Sequence, residues 1–178
     1  MGDPTRLRPD EVEILVAREL RKAGVELSAL TVRARTSLTK GGNDYVMEML
    51  GSARIAGSDR RLLVECRREG SPVRADAVRA LGAKLGSGAA EHGLMFSTSG
   101  FEAEAVRAAR THGIPLLAVA DGRAAFARSP WASGGQPPAW IPEYMSELVD
   151  LDAGGQLRRH LVLADQPRAI LDRLTPEA

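Results

Sequence analysis

Residues 62–69 read LLVECRRE, three apolar residues followed by charged residues around a single cysteine. Side chains on a strand alternate between its two faces, so Leu63, Glu65 and Arg67 share one face. A carboxylate and a cation thus lie side by side at the end of a strand that is otherwise apolar enough to be buried. Such a pair indicates either a cross-strand ion pair at the surface or part of a functional site.

The segments on either side of this stretch alternate between helical and strand patterns. Apolar residues recur at helical spacing in three segments, and short apolar runs lie between those segments. We predict the order helix, three strands, helix, strand, helix, strand, over residues 8–24, 25–35, 44–50, 60–68, 72–87, 93–99, 101–113 and 114–120. Residues 51–59 form the hairpin connection between the second and third strands.

This order of elements predicts a topology. The first three strands follow one another closely and pair as a meander, whereas the last two each follow a helix. A helix between two strands favours parallel pairing through a crossover connection. The sequence therefore predicts an α/β fold, with a mixed sheet flanked by helices on both faces.

The character of the chain changes after residue 127, so we divide it into a domain over residues 1–127 and a C-terminal arm over 128–178. The arm begins with a segment rich in Pro and Gly, yet four of the seven aromatic residues lie within residues 126–144, namely Phe126, Trp131, Trp140 and Tyr144. A flexible linker has no use for such residues. We expect the arm to pack on its own core or on a second subunit, with a late strand near residues 157–164 and a short helix near 165–174.

Composition limits the classes of function. The formal net charge is +1, so a nucleic-acid site must be a local patch and not a global basic field. Cys66 is the only cysteine, which excludes an internal disulfide and a zinc site built from cysteines. The sequence shows no apolar signal region at its start and no apolar run of membrane-spanning length, so we expect a cytoplasmic protein that does not enter a membrane.

A candidate metal site involves the strand before LLVECRRE. Asp44 opens the segment DYVMEML, directly after the Gly-containing turn KGGN. If the two strands form a hairpin, Asp44 approaches the end of the strand that carries Glu65. Two carboxylates beside a cation are what a Mg²⁺-dependent phosphodiester hydrolase needs, because carboxylates hold the metal ion and the cation stabilises charge on the phosphate.

Three segments in this order, NDYVMEML, LLVECRREGSPV and GLMFSTSGFEAEAVRAARTHGIPLLAV, resemble the catalytic domain of Mrr-like restriction endonucleases in the PD-(D/E)xK nuclease superfamily. The resemblance covers roughly residues 10–122. It implies a restriction-endonuclease-like fold, Mg²⁺ or Mn²⁺ as the cofactor, DNA as the partner and a role in defence against foreign DNA. Asp44 and Glu65 take the metal-binding places, Glu13 takes the acidic position on the first helix, and the catalytic lysine of the family falls on Arg67.

The replacement of that lysine leaves two interpretations open. Arginine keeps the positive charge but does not lose its proton, so the chain is either a metal-dependent endonuclease or an inactive DNA-binding or protein-interaction module of the same fold. Glu13 follows Asp10 at the spacing of a helix-capping pair, which is an alternative explanation for it. Lys40 and Arg68 flank the proposed site and are candidate phosphate contacts. We also expect a homodimer formed through the arm, or an unidentified protein partner.

Overall fold

A computed structural model describes residues 2–38, 40, 44–130, 132, 135–162 and 168–174. The helices are α1 (Pro9–Lys22), α2 (Ala75–Gly86), α3 (Ala103–His112) and α4 (Gly122–Arg128), with short 3-10 helices at Pro4–Arg6 and Leu171–Leu174. The strands are β1 (Val25–Ser37), β2 (Tyr45–Ile55), β3 (Ser58–Arg68), β4 (His92–Ser97), β5 (Leu116–Asp121), β6 (Tyr144–Leu151) and β7 (Leu157–Leu161).

All seven of these strands belong to one sheet, and their order in space follows their order in the chain. Strands β1, β2 and β3 pair antiparallel, β3, β4 and β5 pair parallel, and β5, β6 and β7 pair antiparallel. Two parallel pairs between antiparallel ones make the sheet mixed. The predicted α/β fold, with its meander and its two crossovers, is confirmed.

The sheet separates two hydrophobic cores because β3 and its neighbours are apolar on both faces. Leu62 and Val64 of β3 pack on the side of α1, together with Val16. Leu63 packs on the opposite side with Leu81, in the core formed by α2 and α3. Glu65 and Arg67 share the face of Leu63, so the charged pair in LLVECRRE projects from the α2 side of the sheet.

A two-residue turn, Ala56-Gly57, joins β2 to β3, and both strands are longer than the sequence predicted. The turn has φ of 48° at Ala56 and 80° at Gly57. Positive φ at both central residues is the requirement of a type I′ turn, whose twist matches that of the strands. The predicted hairpin is therefore present, but its connection is shorter than residues 51–59, because pairing continues down to Ile55 and Ser58.

Ala56 is poorly suited to this turn, because a Cβ at positive φ is strained by roughly 1 kcal/mol or more. We expect Ala56→Asn to raise the free energy of unfolding by about 0.5–1 kcal/mol, since asparagine adopts this conformation readily. Urea denaturation measures the change. Ala56→Val is the matched comparison and is expected to lower stability, because a β-branched residue tolerates positive φ least. Equal stabilities for the two variants would contradict this account.

The C-terminal segment extends the sheet and does not only cover it. Strand β6 was not predicted; it pairs with β5 over Leu116–Asp121 and is buried along most of its length. The predicted late strand is present as β7. The predicted terminal helix is replaced, in its described part, by the 3-10 turn Leu171–Leu174. Trp131 lies outside the described residues, and the division at residue 127 stays a prediction.

None of the helices within the described ranges combines the length and the apolar character needed to cross a membrane.

Candidate active site

Glu65 and Arg67 lie together, as their spacing on β3 predicted. Arg67 Nη1 donates to Glu65 Oε1 at 2.8 Å, and Arg67 Nε donates to Glu69. The Glu65 side chain is only 3% exposed and that of Arg67 is 16% exposed. The guanidinium is thus held between two carboxylates, which fixes the orientation of Glu65.

Two further side chains complete this cluster, and sequence reasoning missed both. Glu48 of β2 is the direct partner of Glu65 in the antiparallel register. Lys84 of α2 places Nζ 3.2 Å from Glu65 Oε2 and also binds Glu48 Oε1. The two oxygens of Glu65 therefore face different cations, with Arg67 on one side and Lys84 on the other. We call Glu48, Glu65, Arg67 and Lys84 the carboxylate cluster.

The electrostatics of the cluster follow from these contacts. Burial acts to lower the pKa of Arg67, but hydrogen bonds to Glu69 and Glu65 outweigh burial and raise it. Partial burial likewise acts to lower the pKa of Lys84, yet the hydrogen bond to Glu48 and the attraction of Glu65 raise it overall. Both side chains are therefore cations at neutral pH, and they balance carboxylates that face each other across two strands.

Asp44 is four residues before Glu48 in the chain. It directly precedes β2, where Tyr45 pairs with Arg68, and it lines a surface pocket of about 370 Å³ beside the N-terminus of α1. The hydrogen bonds of the Glu65 side chain go to Arg67 and Lys84. A metal ion shared by Asp44 and Glu65 remains a prediction.

Glu13 projects from α1, on the side of the sheet opposite the carboxylate cluster, and forms an ion pair with Arg35 of β1. The predicted pairing of Glu13 with Asp10 as a helix cap is wrong, because α1 begins at Pro9 and the backbone N–H of Arg8 donates to Glu11 instead. The role of Glu13 as the acidic residue on the first helix stays a prediction.

The pocket that contains Asp44 is rich in arginine. Its lining includes Arg6, Arg8, Arg35 and Arg68. Arg68 Nε also donates to the carbonyl of Leu7 at 3.0 Å, which orients that guanidinium. Lys40 is exposed in the turn between β1 and β2. A concentration of arginines at one end of the sheet suits phosphate groups, although the net charge of the chain is close to zero.

The carboxylate cluster has the donor chemistry for a divalent cation. No three His, Cys, Asp or Glu side chains converge as a metal centre within the part of the chain that the structure describes. Mg²⁺, however, commonly takes one or two carboxylates and completes its shell with water and substrate phosphate. Glu48 and Glu65 supply two oxygen-bearing side chains on adjacent strands, and Lys84 already places a cation between them.

A family model described as a restriction endonuclease, of the Mrr catalytic-domain type, matches residues 5–123. A search of curated proteins and a search of solved structures each found no significant match. The matched range runs from the first 3-10 helix to the start of α4. It contains β2, β3 and α2, which are the three elements that carry the carboxylate cluster.

Proposed function

Because the chain belongs to the family of Mrr-like restriction endonucleases, we propose that it is a metal-dependent DNA endonuclease that acts against foreign DNA. The observation that carries this proposal is the carboxylate cluster within the matched range. Glu65 is nearly inaccessible to solvent, yet it lies directly opposite a second glutamate on the neighbouring strand. A purely structural strand pair has no need for two facing carboxylates, since like charges directly opposite each other destabilise a sheet.

The proposed reaction is the hydrolysis of a phosphodiester bond. The oxygen of a water molecule bonds to phosphorus, one phosphorus–oxygen ester bond breaks, and the released oxygen takes up a proton to become a hydroxyl group. The other product is a phosphate monoester. When bound, Mg²⁺ or Mn²⁺ supplies positive charge to the phosphate and makes water a better nucleophile.

The residues of this chain have separate tasks in that reaction. Glu65 is one metal carboxylate, and Asp44 and Glu48 are the candidates for the second. Arg67 holds Glu65 in place through the 2.8 Å hydrogen bond. Lys40 and Arg68 contact DNA phosphates near the arginine-rich pocket, and Glu13 contributes negative charge from α1. The positive charge of Lys40, Arg68 and the arginine-rich pocket places the DNA at the end of the sheet where β2 begins.

A single site of this kind cuts one strand and double-strand cleavage usually uses two copies, so we extend the proposal to a homodimer. Trp140 lies between α4 and β6 and is 73% exposed, which suits an interface because large aromatic residues are enriched there. A protein partner of unknown identity that selects the DNA, and a cytoplasmic location where foreign DNA is met, belong to the same proposal.

The second candidate function is an inactive DNA-binding or protein-interaction module of the same fold. The observation that favours it is Arg67, which stands where the family has lysine and donates hydrogen bonds to both Glu65 and Glu69. Such a module binds DNA in a salt-sensitive way without cutting it.

A plasmid cleavage assay separates the two candidates. We expect the protein to nick or linearise supercoiled DNA with Mg²⁺ or Mn²⁺, and to lose that activity in excess chelator. Asp44→Ala tests the metal ligand predicted from the sequence. This variant is expected to reduce cleavage if Asp44 and Glu65 bind the same metal ion. Salt-sensitive DNA binding with no product under any metal condition would overturn the endonuclease proposal in favour of the inactive module.

A further inference from the structure

We infer that Glu48 and Lys84 complete the active site, with Glu48 as the second metal carboxylate and Lys84 as the catalytic cation that Arg67 does not supply. This inference rests on the proposed endonuclease function. It assigns roles to a residue on β2 and a residue on α2 that the sequence did not single out. The contacts of Glu65 are the first observation that supports it.

The register of β2 and β3 places Glu48 and Glu65 face to face. Directly opposed residues in an antiparallel pair have Cβ atoms about 4.5–5.5 Å apart, which brings both carboxylates within reach of one ion. Their neighbours on the same face, Leu50 and Leu63, are also directly paired and belong to the core. The two carboxylates therefore lie at the border between the apolar core and the open end of the sheet.

Arg67 is committed to other contacts. Its Nη1 binds Glu65 Oε1 and its Nε binds Glu69, and its side chain is 16% exposed. Two of its N–H groups already bind carboxylates in charge-assisted hydrogen bonds and most of the side chain is enclosed, so little of Arg67 is open to a DNA phosphate. We therefore assign Arg67 as a positioning residue that fixes Glu65.

Lys84 meets the requirements that Arg67 does not. Its side chain is 41% exposed, so it touches both carboxylates while it remains accessible to a ligand from solvent. An ammonium on a flexible four-carbon stem donates up to three hydrogen bonds and moves easily between partners. Glu48 and Glu65 would hold a divalent cation, and Lys84, which now binds both of them, would then be free to bind an oxygen of the scissile phosphate.

The backbone of α2 at Lys84 is held firmly by packing, so any movement of the ammonium comes from its flexible side chain. A Cβ added at Gly82 would lie 2.6 Å from His112 Nδ1, so α2 and α3 approach each other closely just before Lys84. Leu81, three residues before Lys84 on the same helix, is fully buried in the core that contains Leu63. The helix that carries Lys84 is thus fixed against both α3 and β3, which limits where its ammonium can reach.

The test uses Lys84→Gln and Glu48→Gln in the full-length chain, with two measurements for each variant. Glutamine at residue 84 removes the charge but keeps a hydrogen-bond donor beside the carboxylates, which limits the loss of stability. The first measurement is single-turnover cleavage of a plasmid with Mn²⁺, and the second is Mn²⁺ binding by calorimetry. Lys22→Gln is the matched control, because Lys22 also pairs with a buried glutamate, Glu19, on the opposite side of the sheet.

We expect Lys84→Gln to slow cleavage by about 100-fold or more, the scale for one group that stabilises transition-state charge. The same variant should bind Mn²⁺ more tightly than the wild type, because a competing cation is gone. Glu48→Gln should weaken Mn²⁺ binding and slow cleavage. Lys22→Gln should leave both measurements within about threefold of the wild type, because Lys22 lies on the other side of the sheet and Glu19 keeps its ion pair with Arg18.

Each other result has a definite meaning. A cleavage rate for Lys84→Gln within about threefold of the wild type would overturn the catalytic role of Lys84, while the endonuclease proposal stands. If that variant also bound Mn²⁺ more tightly, Lys84 would be a structural counter-ion of the two carboxylates. Unchanged Mn²⁺ binding by Glu48→Gln would remove Glu48 from the metal site. A wild-type protein that neither cleaves DNA nor binds Mn²⁺ would overturn the proposed function and this inference together.

Discussion

A chain that ends at Arg128 is expected not to fold. Among the described residues beyond that point, eight apolar side chains are buried, namely Met145, Leu148, Val149, Leu151, Val162, Ile170, Leu171 and Leu174. Each contributes about 1.5–3 kcal/mol through burial, so their sum matches or exceeds the total stability of about 5–15 kcal/mol that is usual for a domain. The truncation also removes β6 from β5 and exposes an unpaired edge along six residues.

Circular dichroism and urea denaturation of the truncated protein measure this outcome, and a chain that ends at Leu174 is the control. We expect the control to unfold cooperatively and the chain that ends at Arg128 to show no cooperative transition. A truncated chain that unfolds cooperatively would establish residues 1–127 as an independent domain. If it were also monomeric while the full chain is dimeric, the arm would be an interface as first predicted.

Glu65→Gln is expected to produce the largest loss of activity for the smallest structural change. Glutamine has the same shape as glutamate but lacks the charge that holds a divalent cation, so cleavage should fall on the order of 10²–10³-fold. The free energy of unfolding should fall by about 1–3 kcal/mol, because the glutamine NH2 cannot accept one of the two hydrogen bonds that Glu65 accepts. The fold should survive, because Arg67 still pairs with Glu69 and Lys84 still pairs with Glu48. The loss of one of two facing like charges also offsets part of the cost.

Glu91→Gln is the matched control for this substitution. Glu91 accepts hydrogen bonds from Arg61, near the opposite end of β3. Both variants are compared by plasmid cleavage and by thermal denaturation. Loss of activity in Glu65→Gln that is accompanied by an equal loss of folded protein would mean that Glu65 is a structural ion-pair residue. Full activity in Glu65→Gln would remove it from the active site.

Much of the fold was predictable because the patterns that define it are local. Apolar residues at helical spacing predicted α1, α2 and α3, and short apolar runs predicted the strands that pair with them. Strand β6 was missed because it follows a segment rich in Pro and Gly and includes charged residues such as Glu147. That glutamate is buried and forms ion pairs with Arg128 and Arg159, contacts between residues distant in sequence that no local pattern shows.

The difference between local patterns and contacts distant in sequence also explains why Glu48 and Lys84 were missed in the site. Glu65 and Arg67 are neighbours on one strand, so their proximity follows from strand geometry alone. Glu48 became a neighbour of Glu65 only through the register, which a two-residue turn at Ala56-Gly57 sets and a longer connection would have shifted. One signal was available: Glu48 interrupts the apolar run YVMEML, much as Glu65 interrupts LLVEC.

Lys84 had no such signal, because a lysine on the polar edge of an amphipathic helix is ordinary. Only the packing of α2 on the sheet brings it to Glu65. The scarcity of lysine, with Lys22 and Lys40 as the other two in the chain, gave no indication of which one has a function.

The carboxylate cluster is encoded within one uninterrupted stretch, from Glu48 on β2 through β3 to Lys84 on α2. Strands β6 and β7, which follow α4, lie at the opposite edge of the sheet from β1 and contribute none of these four side chains. In the proposed endonuclease, related chains can therefore differ at exposed positions of β6 and β7 without changing any side chain of the carboxylate cluster. A single recombination event that carried one hairpin and the helix after it would transfer all four residues together.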